Sequence, residues 1–404
     1  MHFLFAWRYF RGKYAFQAIQ IIAWVSVFAI AIGTAALITI LSVSNGFTSV
    51  VKGLYADFYA DVRVTPKQGK FFNIQDTQYQ QLKKVEGVKA ISKVVESRAL
   101  LVKNGFQTVA YVKGVENSYE HINQVKRYLK RGVYAIGDEQ APLFIMGLGV
   151  EHKLGIMQHL LGDTIQVYAV NRTGKSITQI GQLNTLSAQE SGAFSVQQEF
   201  DDQYVFTNLA FAQYLFDLNP NEVAAIEFSI NGINEAQAIK EIQKIMGPGF
   251  EVRNKYQQNI DLYRIMEVEK WIIFCILALI MIVASFNLVG ALTMLVLEKQ
   301  KDIHVLNAMG ATKWDIQKIF LLLAGVMAIL GAIIGGGLAS VFCWLQYKYH
   351  FIKLGGGSFV IDYYPIQPML IDHIAIMLLV IIIALLAGWI PSRKAAAKIY
   401  ERIV

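Results

Sequence analysis

The stretch Ala169 to Ser176, AVNRTGKS, fits the loosest form of a phosphate-binding loop, with alanine in place of the first glycine. Such a loop grips phosphate with the backbone amides of a helix that begins just after its Lys-Ser pair. Here the strand-like run Ile177-Thr178-Gln179-Ile180 follows, so the segment reads instead as a hairpin turn between strands at Thr164 to Val170 and Ile177 to Leu183. No HExxH sequence or cysteine-based metal motif occurs, and the seven histidines (His2, His121, His152, His159, His304, His350, His373) are scattered. The residues therefore predict no catalytic site, no metal site and no cofactor bound by this chain, and energy for any work it does must come from another protein.

One polar segment is placed to act on a partner. Glu298 to Phe320, EKQKDIHVLNAMGATKWDIQKIF, is wedged between two long apolar runs. Helix formers with apolar residues at Ile303, Leu306 and Met309 predict a helix from Glu298 to Met309. Gly310 suits the left-handed residue after a helix, and Thr312 with Asp315 three residues on reads as a capping box. A short helix turned sharply into a membrane span has a geometry that passes on a push. On composition alone the same residues are equally a charged loop of the kind that orients spans.

The elements that must hold this segment follow from composition. A chain of 404 residues that is 54% hydrophobic and 17% charged belongs in a membrane. Runs of roughly 18 or more apolar residues predict spans at 20–44, 271–297, 319–345 and 373–391. None contains Asp, Glu, Lys or Arg, which excludes the intramembrane charges that proton- or sodium-coupled transport uses. The net charge of +7 comes largely from Lys and Arg flanking the spans, so it is not a nucleic-acid signature. Arg8, Arg11 and Lys13, then Lys299, Lys301, Lys313 and Lys318, then Arg393, Lys394, Lys398 and Arg402 fall on one side, which predicts cytoplasmic termini and an outer segment at 45–270. The first run is too long for a signal peptide and is expected to remain as an anchor. Cys275 and Cys343 both lie in spans, so the outer segment needs no disulfide.

Residues 1–19 interleave aromatic and basic side chains, as either an interfacial helix or ordinary anchor residues would. From Val51 the chain takes on the grammar of a mixed α/β domain. Asp61 to Pro66 alternates as a strand, Asp76 to Val85 reads as a helix, and Ala90 to Lys103 and Gln107 to Val115 read as strands. The pattern returns with a strand at Val223 to Asn231, a helix at Asn234 to Met246 and a strand at Phe250 to Asn254. Leu262 to Lys270 suggests a stalk helix continuous with the second span, with Phe47 to Tyr59 as its partner. A coupling segment at 298–318, an outer loop at 346–372 and a tail at 392–404 complete the plan.

EKQKDIHVLNAMGAT closely resembles the coupling-helix segment of the FtsX-like, MacB-type ABC transporter permeases, and RYFRGK with the SVSNGF that closes the first span resembles the lipoprotein-releasing (Lol) members. The resemblance implies a porter-like outer domain with halves at about 51–117 and 220–258 and an inserted lobe at about 118–219. It implies that Glu298, Lys299, Lys301, Ile303, Leu306, Met309 and Gly310 couple to a cytoplasmic ABC ATPase dimer, which would bind ATP and Mg. It also implies a second permease subunit, identical or related, in a bacterial inner membrane, with lipoproteins, membrane lipid and a periplasmic lipoprotein carrier as partners. In that family a projecting hairpin captures the carrier, and Asn171, Arg172, Thr173, Gly174 and Lys175 sit in the comparable place. Two other roles in the superfamily stay open: peptide or drug efflux, and regulation of cell-wall hydrolases.

Overall fold

The computed structural model describes residues 17–156, 164–170, 183–231, 235–354, 361 and 363–397. The basic N-terminal stretch, the expected hairpin at 171–175 and the end of the tail lie outside these residues. The described chain divides into two units, one drawn from 51–263 and the other from 17–50, 264–354, 361 and 363–397. Helix α1 (Gln17–Phe58) contributes to both as one unbroken element.

In the outer unit, β1 (Val62–Pro66), α2 (Asp76–Lys83) and β3 (Val88–Lys103) form one strand-helix-strand module; β11 (Ala225–Ile230), α4 (Glu235–Met246) and β12 (Phe250–Asn254) form the other. They pair antiparallel in the order β12-β1-β11-β3, the split arrangement of a ferredoxin-like sheet. Alternation along the strands turns Val62, Val64, Ile226 and Phe228 toward Leu82 of α2 and Ile242 of α4, and this face is one continuous core. The two modules are far apart in sequence because the chain between them builds something else.

That other structure starts on β3 itself. Its first half pairs with β11; from Val94 onward it pairs with β4 (Phe106–Val115) across Asn104-Gly105, both at positive φ, the pair of residues that tight hairpins favour. After β5 (Leu129–Gly132), the strand β6 (Leu143–Gly147) leads into α3 (Leu148–Lys153). β7 (Thr164–Val170), β8 (Leu183–Phe194) and β9 (Tyr204–Asn208) follow. β4 runs beside β9, β9 beside β6, β6 beside β8, β8 beside β7, and β7 returns to β3 at Leu100 to Val102. Six strands thus close into a ring, an arrangement that removes exposed strand edges. Leu101, Val112, Phe144, Ile165 and Val205 share its core with Val150 of α3. β2 (Phe72–Asn73) and β10 (Glu222–Val223) form a separate short ribbon.

The expected strands and helices of both modules, and the strand at 164–170, coincide with these elements to within a few residues. The strand opposite β7 differs: the described part begins at Leu183 and runs on to Phe194, past the expected end. Its weakly alternating sequence, LNTLSAQESGAF, carries little strand signal.

The membrane unit takes in α5 (Ile260–Glu298), α6 (Gln300–Ala308), α7 (Lys313–Tyr349) and α8 (Leu370–Ala397). Among the described residues α1, α5, α7 and α8 are long and apolar enough to cross a membrane. α5 passes without a break through the charged stretch before Trp271, as its sequence predicts, and α8 continues through Pro391. Val27, Leu37, Met281, Leu292, Met327 and Val380 belong to one core drawn from all four helices. A Cβ on Gly335 would stand 2.3 Å from the carbonyl oxygen of Ala31, and one on Gly331 would stand 2.6 Å from the Ile30 side chain. The small residues of the third span thus let α7 lie directly against the α1 backbone.

Candidate coupling segment

α5 ends at Glu298, Lys299 sits at the N-cap of α6 and pairs with Asp302 at 3.2 Å, and α6 runs to Ala308. Gly310 takes φ +93, and the turn is closed by Gly310 N–H donating to Asn307 O at 2.9 Å and Ala311 N–H to Leu306 O at 3.0 Å. Thr312 then caps α7 reciprocally with Asp315, as a capping box requires. The corner expected from Gly310 and Thr312 is present because it is written in residues at most a few positions apart.

The faces of α6 are less simple than the rhythm of its apolar residues. Ile303 is buried in the core of the membrane unit, Leu306 is half-buried and Met309 is 79% exposed. Steps of three residues drift around a helix of 3.6 residues per turn, so Ile303 and Met309 face about 120° apart. The exposed face is built instead from Lys301, Val305 and Met309, one turn apart, with Trp314 just past the corner. Val305 and Trp314 were not singled out in the sequence, although the i, i+4 spacing of Lys301, Val305 and Met309 would have found the first. The arrangement is a short helix anchored by one buried isoleucine and presenting a mixed basic and apolar ridge.

The outer unit holds two buried charge clusters that no motif marks. Glu227 accepts from Lys113 Nζ at 2.9 Å and from Tyr119 OH at 2.6 Å and pairs with Arg63 at 3.3 Å, while Arg63 also reaches Glu96 at 3.0 Å. Burial pushes the Glu227 carboxyl up, but Lys113 and Arg63 outweigh it and hold the carboxyl below its usual range. In the second cluster Arg131 Nη2 lies 2.8 Å from Glu151 and also donates to Glu190, and both carboxylates are buried. Burial pushes the Glu151 carboxyl up against the pull of Arg131. A carboxyl raised in the fold keeps its proton there longer than in the unfolded chain, so stability falls as pH climbs through its titration range. Glu151→Gln should therefore flatten the loss of melting midpoint as pH rises through and above the ordinary carboxylate range. An unchanged slope would mean the carboxyl is already ionised in the fold.

The family model for the MacB-like periplasmic core domain matches residues 23–245, more than half of the chain. The chain belongs to that family. The model for the FtsX-like permease C-terminal region matches 274–398, the part that holds α6. This MacB-like, FtsX-like protein is an ABC transporter permease subunit, an inner-membrane protein with a large periplasmic domain. It is similar to the lipoprotein-releasing system transmembrane protein LolC of Neisseria meningitidis, 26% identical over 98% of this chain and 97% of the relative. It is likewise similar to LolE of Haemophilus influenzae, 24% identical over 98% and 96%. Among solved structures, the periplasmic region of MacB from Actinobacillus actinomycetemcomitans is 12% identical with a TM-score of 0.37, over 53% of this chain and 98% of that one.

Proposed function

We propose that this permease subunit extracts lipoproteins from the inner membrane for transfer to a periplasmic carrier, driven by a cytoplasmic ABC ATPase dimer and working beside a second permease subunit. The ATPase binds ATP and Mg; this chain is the non-catalytic lever. Both termini lie in the cytoplasm. Glu298, Lys299, Lys301, Leu306, Met309 and Gly310, together with Val305 and Trp314, meet the ATPase, and Ile303 passes its displacement into the membrane core. Halves at about 51–117 and 220–258 act as the porter and 118–219 as the lobe, with Asn171 to Lys175 taking the carrier.

The observation that carries the reading is an apolar groove of about 640 Å³ between α1 and α7, lined by residues such as Ile32, Ala36, Ile40, Leu338 and Phe342. Removing acyl chains from a bilayer costs about 0.8 kcal/mol per buried methylene, which over several chains far exceeds thermal energy and calls for ATP, but for no aqueous channel. A hydrocarbon-lined groove without charge suits that cargo. Depletion of the protein in cells with no related permease to substitute should leave lipoproteins destined for the outer membrane in the inner one, as read by membrane fractionation. Normal sorting under depletion rules the cargo out.

A further inference from the structure

The residues SVSNGF at the outer end of the first span fall along one line of contacts. Ser42 O accepts from Gln367 N–H at 2.9 Å, Phe47 meets Tyr364 edge-on at 5.8 Å, and a Cβ on Gly46 would stand 2.2 Å from the carbonyl oxygen of Pro365. Asn45 Nδ2 donates to Asp372 Oδ2 at 2.6 Å. At the end of α7, Gln346 is fully buried and its amide bonds the backbone of Ile352 and Tyr364. Hydrogen bonds and backbone-close contacts thus join the outer ends of α1 and α7 to the loop before α8, and Asn45 joins α1 to α8 through the Asp372 carboxylate.

α5 is attached differently. Its first turn is held by Leu262, packed on the cluster that takes in Tyr55 and Phe58 of α1, and by Tyr263 under the Lys52 ammonium; beside the span its tie is Lys270 Nζ, 3.3 Å from Asp372 Oδ1, the same carboxylate that Asn45 holds. The Asp372 side chain is 14% exposed and the Lys270 side chain 44%. A half-exposed ion pair is weak, screened by salt, and can be broken without uncovering apolar surface. We propose that Lys270 and Asp372 form a releasable latch: Asp372 of α8, positioned by Asn45 of α1, ties the span end of α5 to α8 and through Asn45 to α1 in the resting state, and the latch opens when α5 is displaced. The displacement itself rests on the lever reading above; the latch does not.

The test uses the full chain in lipid nanodiscs, without ATPase or cargo. Nitroxide labels at Ser49→Cys on α1 and Glu267→Cys on α5, in a Cys275→Ser, Cys343→Ala background, report the separation of the two helices by pulsed electron resonance. Lys270→Ala should raise the ratio of separated to closed molecules about two- to fivefold, the range expected for a partly exposed pair, and high salt should do the same to the unsubstituted chain. The exchanged pair Lys270→Asp with Asp372→Lys should restore the original distribution, which a merely local packing role would not. An unchanged distribution in Lys270→Ala, or no restoration by the exchange, overturns the latch. Loss of folding in both variants also overturns it, because a releasable contact is dispensable to the fold. If instead the latch behaves as described and lipoprotein sorting is normal under depletion, the proposed cargo fails and the latch stands.

Discussion

Gly310→Val is expected to strip the ATPase from the permease. At φ +93 a β-branched residue is heavily disfavoured, by at least the ~1–2 kcal/mol that an ordinary residue loses in left-handed backbone. A Cβ there would meet nothing within 4 Å, so the penalty is conformational and cannot be relieved by moving a neighbour. The chain would leave the turn, losing the bonds from Gly310 to Asn307 and from Ala311 to Leu306, and would swing the exposed ridge of α6 away from its partner. Co-purification of the ATPase, and the hydrolysis it supports in the complex, should fall about tenfold or more, the loss corresponding to roughly 1.4 kcal/mol. The outer domain should melt as before, and Gly310→Asn should be milder because asparagine visits this region more readily. Unchanged co-purification together with unchanged hydrolysis would remove the coupling role from this segment.

Phe58→Ala should strongly destabilise the outer domain. Phe58 ends α1 and is 2% exposed. It stacks on Phe200 at 3.9 Å between ring centres and meets Tyr204 and Phe206 edge-on at 5.0 and 6.0 Å. Its carbonyl accepts from Asn123, and Gln124 N–H donates to Asp57 one residue before. Truncating a buried phenylalanine costs about 3–5 kcal/mol, which for a unit of this size lowers the melting midpoint by roughly 6–20 °C. Near-ultraviolet circular dichroism of the full chain in detergent would read it, and Phe58→Leu should recover part of the loss. A shift within a degree or two would mean that the end of α1 is not fixed in the aromatic core. The same variant should weaken any response of the domain to movement of α1, since the helix is gripped at this ring.

What could be read along the chain is what depends on near neighbours. A span needs only an apolar run of sufficient length, so α1, α5, α7 and α8 were visible from residue types alone. The strand and helix periods of the two modules, the Gly310 corner and the Thr312 cap span at most a few residues each, and they form as their spacing predicts. The family resemblance rests on the same kind of short segment.

Tertiary pairing decided the rest. The ring closes because Leu100 to Val102 of β3 meet β7, and because β4 lies parallel to β9, contacts between strands that carry no mark of their partners. Lys113 and Glu227 are 114 positions apart, and only the fold makes them a buried pair. On α6 the same apolar residue types became an anchor at Ile303 and a free surface at Met309, because helical rotation and the core on one side determine which is covered. Asn45 shows the limit most plainly: its place at the end of a span was legible, but its work is done on Asp372, a residue 327 positions away that only packing brings within 2.6 Å.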